Sequence, residues 1–159
     1  MALRRVAGWV VLAGLAAGTL TACGDGDSEA EEAAEKSMST AAADEATCKA
    51  DATAIDEPYG EGFPTTWKFP SDTTVYDYQD EGDAGVVVTG ITTTPFADVL
   101  DYLNNDAVDA GFTITEGETE EHDAEANWTA TDYDGRWAIR ESAQCTGETV
   151  VQVLAYPAK

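Results

Sequence analysis

Between Gly24 and Thr47 the chain reads GDGDSEAEEAAEKSMSTAAADEAT, with eight acids, one lysine and no aromatic or β-branched apolar residue. Such a segment buries too little apolar surface to offset the entropy of ordering it. The stretch SEAEEAAEKS has helix propensity, but its like charges repel and it offers no apolar face to dock. Folding is thereby confined to residues 48–159. These 112 residues suffice for one modest core and not for two.

Upstream of the acidic run stands MALRRVAGWVVLAGLAAGTLTAC. Arg4 and Arg5 form a short positive region, and the 15 residues from Val6 to Leu20 carry no charge. That is the length of a secretory apolar segment, and too short to span about 30 Å of hydrocarbon comfortably. The segment Val6-Ala7-Gly8 lacks the bulky apolar pair that usually follows a twin-arginine signal. Next, Leu20-Thr21-Ala22-Cys23 resembles the lipobox of bacterial lipoproteins. The resemblance implies that residues 1–22 are a signal peptide cut before Cys23, and that Cys23 carries a diacylglyceryl group with further fatty acyl chains such as palmitate. It also implies a lipid anchor on the extracytoplasmic face of the cell membrane. Residues 23–47 would then be an acidic tether, holding the domain off an anionic surface by repulsion and chain extension. Two acyl chains anchor stably where one is reversible. A small domain behind such a tether loosely resembles the small envelope lipoproteins of actinobacteria.

Three cysteines are an odd number for an oxidising compartment. With Cys23 acylated, Cys48 and Cys145 remain as an even pair 97 residues apart. Outside the cytoplasm such a pair closes a disulfide; the alternative is two buried thiols. Neither has a CxxC partner or a neighbouring histidine, so no metal site and no cofactor is expected. The net charge of −23 becomes −25 once Arg4 and Arg5 are removed, and residues 48–159 alone carry −18. Nucleic acid binding is excluded on this balance, because phosphate neutralisation requires a basic patch. Solubility, self-repulsion or salt adaptation accounts for it.

Within the domain, Pro58, Pro64 and Pro70 recur six residues apart and predict an irregular extended arm. Its Phe63, Trp67 and Phe69 are expected to lie across the domain surface as packing. TTVYDY alternates and reads as a strand, QDEGDAG as a turn, and VVVTGITT as a central strand, with Gly90 marking a bulge or close approach. In TPFADVLDYLNNDAVDAGF, Thr94 reads as N-cap, Pro95 as first helical residue and Gly111 as the stop. Phe96, Val99, Leu100, Leu103 and Ala107 share the apolar face of that helix. FTITE is a further strand. In ANWTATDYDGRWAIRE the preferred turn dipeptide Asp134-Gly135 sets a hairpin with Tyr133 opposite Arg136. Trp128, Ala130, Trp137 and Ile139 then face the core, with Thr129, Thr131, Tyr133, Arg136 and Arg140 on the outer side. TVVQVLAYPA is the last strand. The expected fold is α+β, an antiparallel sheet of four to five strands with one amphipathic helix on one face.

Candidate sites are few. His122, the single histidine, sits between Glu121 and Asp123 and reads as a solvated turn residue. Asp77, Asp80, Asp83, Asp132 and Asp134 match no EF-hand spacing. No GxSxG, HExxH or phosphate loop occurs. Arginines that balance local acids are the simpler reading of Arg136 and Arg140. A contact surface, if the domain has one, is expected at Tyr133, Arg136 and Arg140, joined by Trp67 from the arm, since Arg and aromatic residues are enriched at interfaces. The expectation is a non-enzymatic binding or accessory module for an envelope protein or small ligand. The alternatives are an extracytoplasmic hydrolase using carboxylates and a calcium- or salt-responsive acidic domain.

Overall fold

The computed structural model describes residues 46–158. Cys23, the signal segment and all but the last two tether residues lie outside them. Six strands form, β1 Thr74–Asp80, β2 Val86–Thr92, β3 Thr113–Thr119, β4 Asp123–Thr129, β5 Tyr133–Glu141 and β6 Thr149–Pro157, with one helix, α1 Phe96–Asp109, between β2 and β3. They make one sheet in the order β1-β2-β6-β5-β4-β3, every neighbouring pair antiparallel. The α+β class holds, and the count is six strands where four to five were expected. Each of the six strands falls on a segment read as a strand, and what the reading missed is the length of the β3–β4 hairpin, in which β3 runs on past Glu116 and β4 begins before Ala126. Its stretch ETEEHDAEAN presents only alanines at core positions, so Ala124 and Ala126 are buried without an obvious apolar alternation.

Strand composition sets strand position. VVVTGIT of β2 is buried at every position, and TVVQVLAYP of β6 at all but its last two. Strands buried on both faces belong inside a sheet, and β2 and β6 pair there. TITEGET of β3, almost wholly exposed and acidic, is an edge, where charge discourages pairing with another chain. The register of β1 on β2 shifts between Val75 and Asp77, directly beside Gly90. A Cβ at Gly90 would lie 2.6 Å from Thr73 Cγ2, which is the close approach expected there. On the second face of the sheet, Gln152 is buried and its Nε2 donates to Thr89 Oγ1 at 3.2 Å.

The helix lies against β5 and β3 through Val99, Leu103 and Ala107, with Phe96 and Leu100 packed beside them. It ends in a Schellman arrangement: Gly111 N–H donates to the Val108 carbonyl, and Phe112 N–H to that of Ala107. Gly111 takes φ +101°, and the buried Phe112 and Ala107 supply the apolar pair that accompanies this cap. At the other end the expectation is corrected by one residue. Pro95, at φ −56° and ψ 144°, is itself the N-cap, and its carbonyl accepts from Asp98 and Val99. The Thr94 hydroxyl is engaged elsewhere, donating to the Ser71 carbonyl at 3.2 Å.

A larger correction concerns the β4–β5 hairpin. Its pairs are Thr129 with Asp134, Trp128 with Gly135 and Asn127 with Arg136, so the loop is Thr131-Asp132 and Asp134-Gly135 lies inside β5. Ala130 N–H closes the turn on the Tyr133 carbonyl at 2.7 Å. The displacement is an even number of residues, so Trp128, Trp137 and Ile139 keep the core side. Tyr133 does not stay with the arginines: it now begins β5 and packs on the core.

Residues 48–72 run as the irregular arm that the prolines predict. The arm enters the core and does not merely cover it. Trp67, 1% exposed, sits with its ring 4.7 Å from Phe112 and 5.1 Å from Trp128. Tyr102 of α1 donates its hydroxyl to the Lys68 carbonyl at 3.1 Å, tying helix to arm. At the arm's start a disulfide joins Cys48 to Cys145, with Cα atoms 5.5 Å apart. Lys49 N–H donates to Glu148 Oε2 at 2.9 Å, and its ammonium lies 2.5 Å from Asp72 Oδ1.

Candidate functional site

The four residues singled out as a possible contact surface are dispersed. Trp67 is buried in the core and Tyr133 packs on its edge. Arg136 and Arg140 do share the opposite face of the sheet, but each meets an acid there. Arg140 Nη2 lies 2.5 Å from Asp123 Oδ2, its direct cross-strand partner, and Arg136 bonds Glu125 on the diagonal. Both pairs are partly buried by their own sheet. Their geometry is that of arginines balancing local acids.

His122 occupies the β3–β4 turn, its Nδ1 2.7 Å from Glu141 Oε2 and its Nε2 3.7 Å from Glu121 Oε1. A shallow cleft of about 190 Å³ nearby brings together Glu118, Glu120, Asp123, Glu125 and Arg140. Of the acids that match no calcium-loop spacing, Asp77 accepts from Gln79 and Asp80 accepts from Gly82 N–H, which shapes the β1–β2 turn. Among the described residues, the grouping of His, Cys and acids compact enough for a metal is Cys48, Cys145 and Glu148, and both its sulfurs are in the disulfide. Asp72 is held below the usual carboxylate range, first by the hydrogen bond from Lys49 and then by that from the Thr93 hydroxyl at 2.6 Å. Its role is to hold the arm.

An apolar concavity lies in the arm itself. A cleft of about 300 Å³ is lined by Glu57, Pro58, Tyr59, Phe63, Pro64, Thr65 and Trp67. The Tyr59 and Phe63 rings stand at 77° with centroids 5.9 Å apart, and Phe69 backs both, stacked on Phe63 at 6.4 Å and edge-on to Tyr59 at 5.8 Å. Glu57 stands at the mouth with Lys68 Nζ 3.3 Å from its carboxylate. Sequence reasoning treated Phe63 and Phe69 as packing and did not single out Tyr59. The signal that marks a site is their density, four rings within the span of three prolines.

No family model, curated protein or solved structure matches this chain. Function is therefore argued from the residues. No helix among the described residues is long and apolar enough to cross a membrane.

Burial raises the phenol pKa of Tyr76, Tyr102 and Tyr59 above the ordinary value of 10.0, and neighbouring acids add to the effect. The folded state thus holds tyrosine protons that the unfolded chain releases. Stability from this source is fully present below pH 10 and is lost as pH rises beyond it. Circular dichroism melts from pH 8 upward are expected to show Tm level to about pH 10 and falling above it, with a shallower fall in Tyr76→Phe.

Proposed function

We propose that this chain is a lipid-anchored envelope lipoprotein without enzymatic activity, acting as a binding or accessory module outside the cytoplasmic membrane. The observation that carries the reading is the pairing of Cys48 with Cys145, which leaves Cys23 as the unpaired cysteine, directly behind an apolar leader and ahead of an acidic tether. A disulfide closing so long a loop fits an oxidising compartment. The acylated Cys23 anchors the chain, residues 24–47 hold the domain away from anionic headgroups, and the domain presents its arm cleft and sheet face to a ligand or envelope partner.

Metabolic labelling with an alkyne fatty acid tests the anchor on the full-length chain. Label is expected on the wild type and is expected to vanish in Cys23→Ala, with the variant moving from the membrane to the soluble fraction. Mass spectrometry that finds a free thiol at Cys23, or residues 1–22 still attached, overturns the reading.

A further inference from the structure

The face of the sheet turned away from the helix is buried along β2 and β6, and the arm covers only its first part. Ile91 and Val150 lie beneath Ala46 and Ala52. Further along the same strands stand Thr89 with Gln152 and then Val87 with Leu154. The apolar residues packed against Val87 and Leu154 are Ala84, Ala138 and Tyr156, which belong to the β1–β2 turn and to the sheet itself. Leu154 is nevertheless 1% exposed and Gln152 3%. A sheet face turned to water exposes its side chains, so burial of this degree calls for a second layer. Gln152 adds a polar requirement. Its Nε2 donates to Thr89, but its Oε1 is buried without a hydrogen-bond partner among the described residues, and such an acceptor is costly until a donor meets it.

We propose that residues 41–45, Ala41-Ala42-Ala43-Asp44-Glu45, lie across this face as an extended segment that covers Gln152 and Leu154. The direction of the chain carries the argument. Lys49 N–H is bonded to Glu148, just ahead of β6, Thr47 reaches the Tyr76 phenol through its backbone, and Ala46 packs at Val150. Followed backwards from Lys49, the chain thus advances alongside β6 in that strand's own direction. Val150 and Leu154 are four residues apart, about 13 Å at about 3.3 Å per residue, and the residues from Glu45 back to Ala42 span the same distance when extended. Asp44 then passes Gln152, and Ala42 arrives at Leu154. Composition suits the path. Ser37 to Ala43 is an uncharged stretch inside the acidic run, and its three alanines allow a close approach to the sheet. An extended backbone supplies the N–H that Gln152 Oε1 lacks. Asp44 and Glu45 pass beside the β5 partners of this part of β6, Arg140 opposite Val150 and Arg136 opposite Leu154, where the domain's net −18 repels them least. Because Cys48 is pinned by the bridge and Ala46 is already seated, the segment is held at the face at high effective concentration, and weak contacts suffice. One consequence rests on the reading of Cys23 as the anchor: the free leash shortens to residues 24–40 and leaves the domain beside the β1–β2 turn. The disulfide end then points away from the membrane, and the β4–β5 part of the face stays open to a partner.

Hydrogen exchange of the full-length chain, read by mass spectrometry, tests the docking against an internal standard, the acidic run 28–36 of the same tether. After correction for intrinsic rates, the amides of residues 41–45 are expected to exchange about tenfold more slowly than those of 28–36, at every protein concentration. Ala42→Asp, which sets a charge over Leu154, is expected to abolish the difference, whereas Ala34→Asp leaves it intact. Both substitutions lie outside residues 48–159, so the domain folds in either variant. Gln152→Met removes the acceptor and is expected to speed exchange in 41–45 about threefold. Equal exchange in the two stretches overturns the proposal, as does protection that Ala42→Asp and Gln152→Met both leave unchanged. Protection that fades on dilution assigns the face to a second copy of the chain and overturns it too. Cys23→Ala is expected to keep the protection, so the docking and the lipid anchor fail or stand separately.

Discussion

Removing the Cys48–Cys145 disulfide is expected to cost the domain about 4–5 kcal/mol, the largest loss from any single covalent change. The bridge joins residues 97 apart, and in the chain-entropy model a loop of that length restricts the unfolded ensemble by about this amount. Cys48→Ala with Cys145→Ala is the suitable variant, because Cys145 is buried and a serine there would bring a hydroxyl into an apolar site. In urea the midpoint is expected to fall. The m-value is expected to rise, since an unfolded chain without the cross-link exposes more surface. The loss should begin at the arm. Cys48 fixes the segment whose Ala46 and Ala52 cover Ile91 and Val150 on the second face of the sheet, and it sets Lys49 against Asp72 and Glu148. A midpoint change worth less than about 1 kcal/mol would mean that the unfolded chain is already compact without the bridge.

The parts of this fold that could be read from sequence are those where one physical effect dominates. The β-branched runs marked β2 as a central strand and β6 as a strand, and the spacing of Val99, Leu103 and Ala107, closed by Gly111, defined the helix. The far ends of β3 and β4 hid themselves, because β3 has almost no buried side chain and the core positions of β4 include two alanines. Trp67 was placed on the surface because its arm lacks regular structure. Its ring nevertheless fills the space between Phe112 and Trp128, and regular backbone is no condition for burial. The arginine surface dissolved for a different reason. Local sequence around Arg136 and Arg140 offers Asp134 and Glu141, whereas strand pairing brings Glu125 and Asp123 from β4 across to them. The arm cleft needs three dimensions, since its walls come from several residues of a segment without periodicity.

Gly135→Ala is expected to destabilise the domain by about 3 kcal/mol or more, at the upper end for overpacking a tight site. Asp134-Gly135 has the composition of a hairpin turn, and in a turn the glycine would be needed for its backbone conformation. In β5 it is needed for space. Gly135 pairs with Trp128 on one side and Ala155 on the other. A Cβ built there falls 2.6 Å from Trp128 Cε2 and inside the contact distance of the Leu154 carbonyl oxygen. The indole is fully buried and the oxygen belongs to a central strand, so neither gives way without moving the sheet. Gly147→Ala provides the comparison. Its glycine has φ +81° and open space around the missing side chain, so that change carries only a backbone cost of about 1 kcal/mol. Urea unfolding of the two variants separates the causes. If Gly135→Ala costs no more than Gly147→Ala, the glycine is not packed beneath Trp128, and the observed hairpin register is wrong along with the separation of Tyr133 from the arginines.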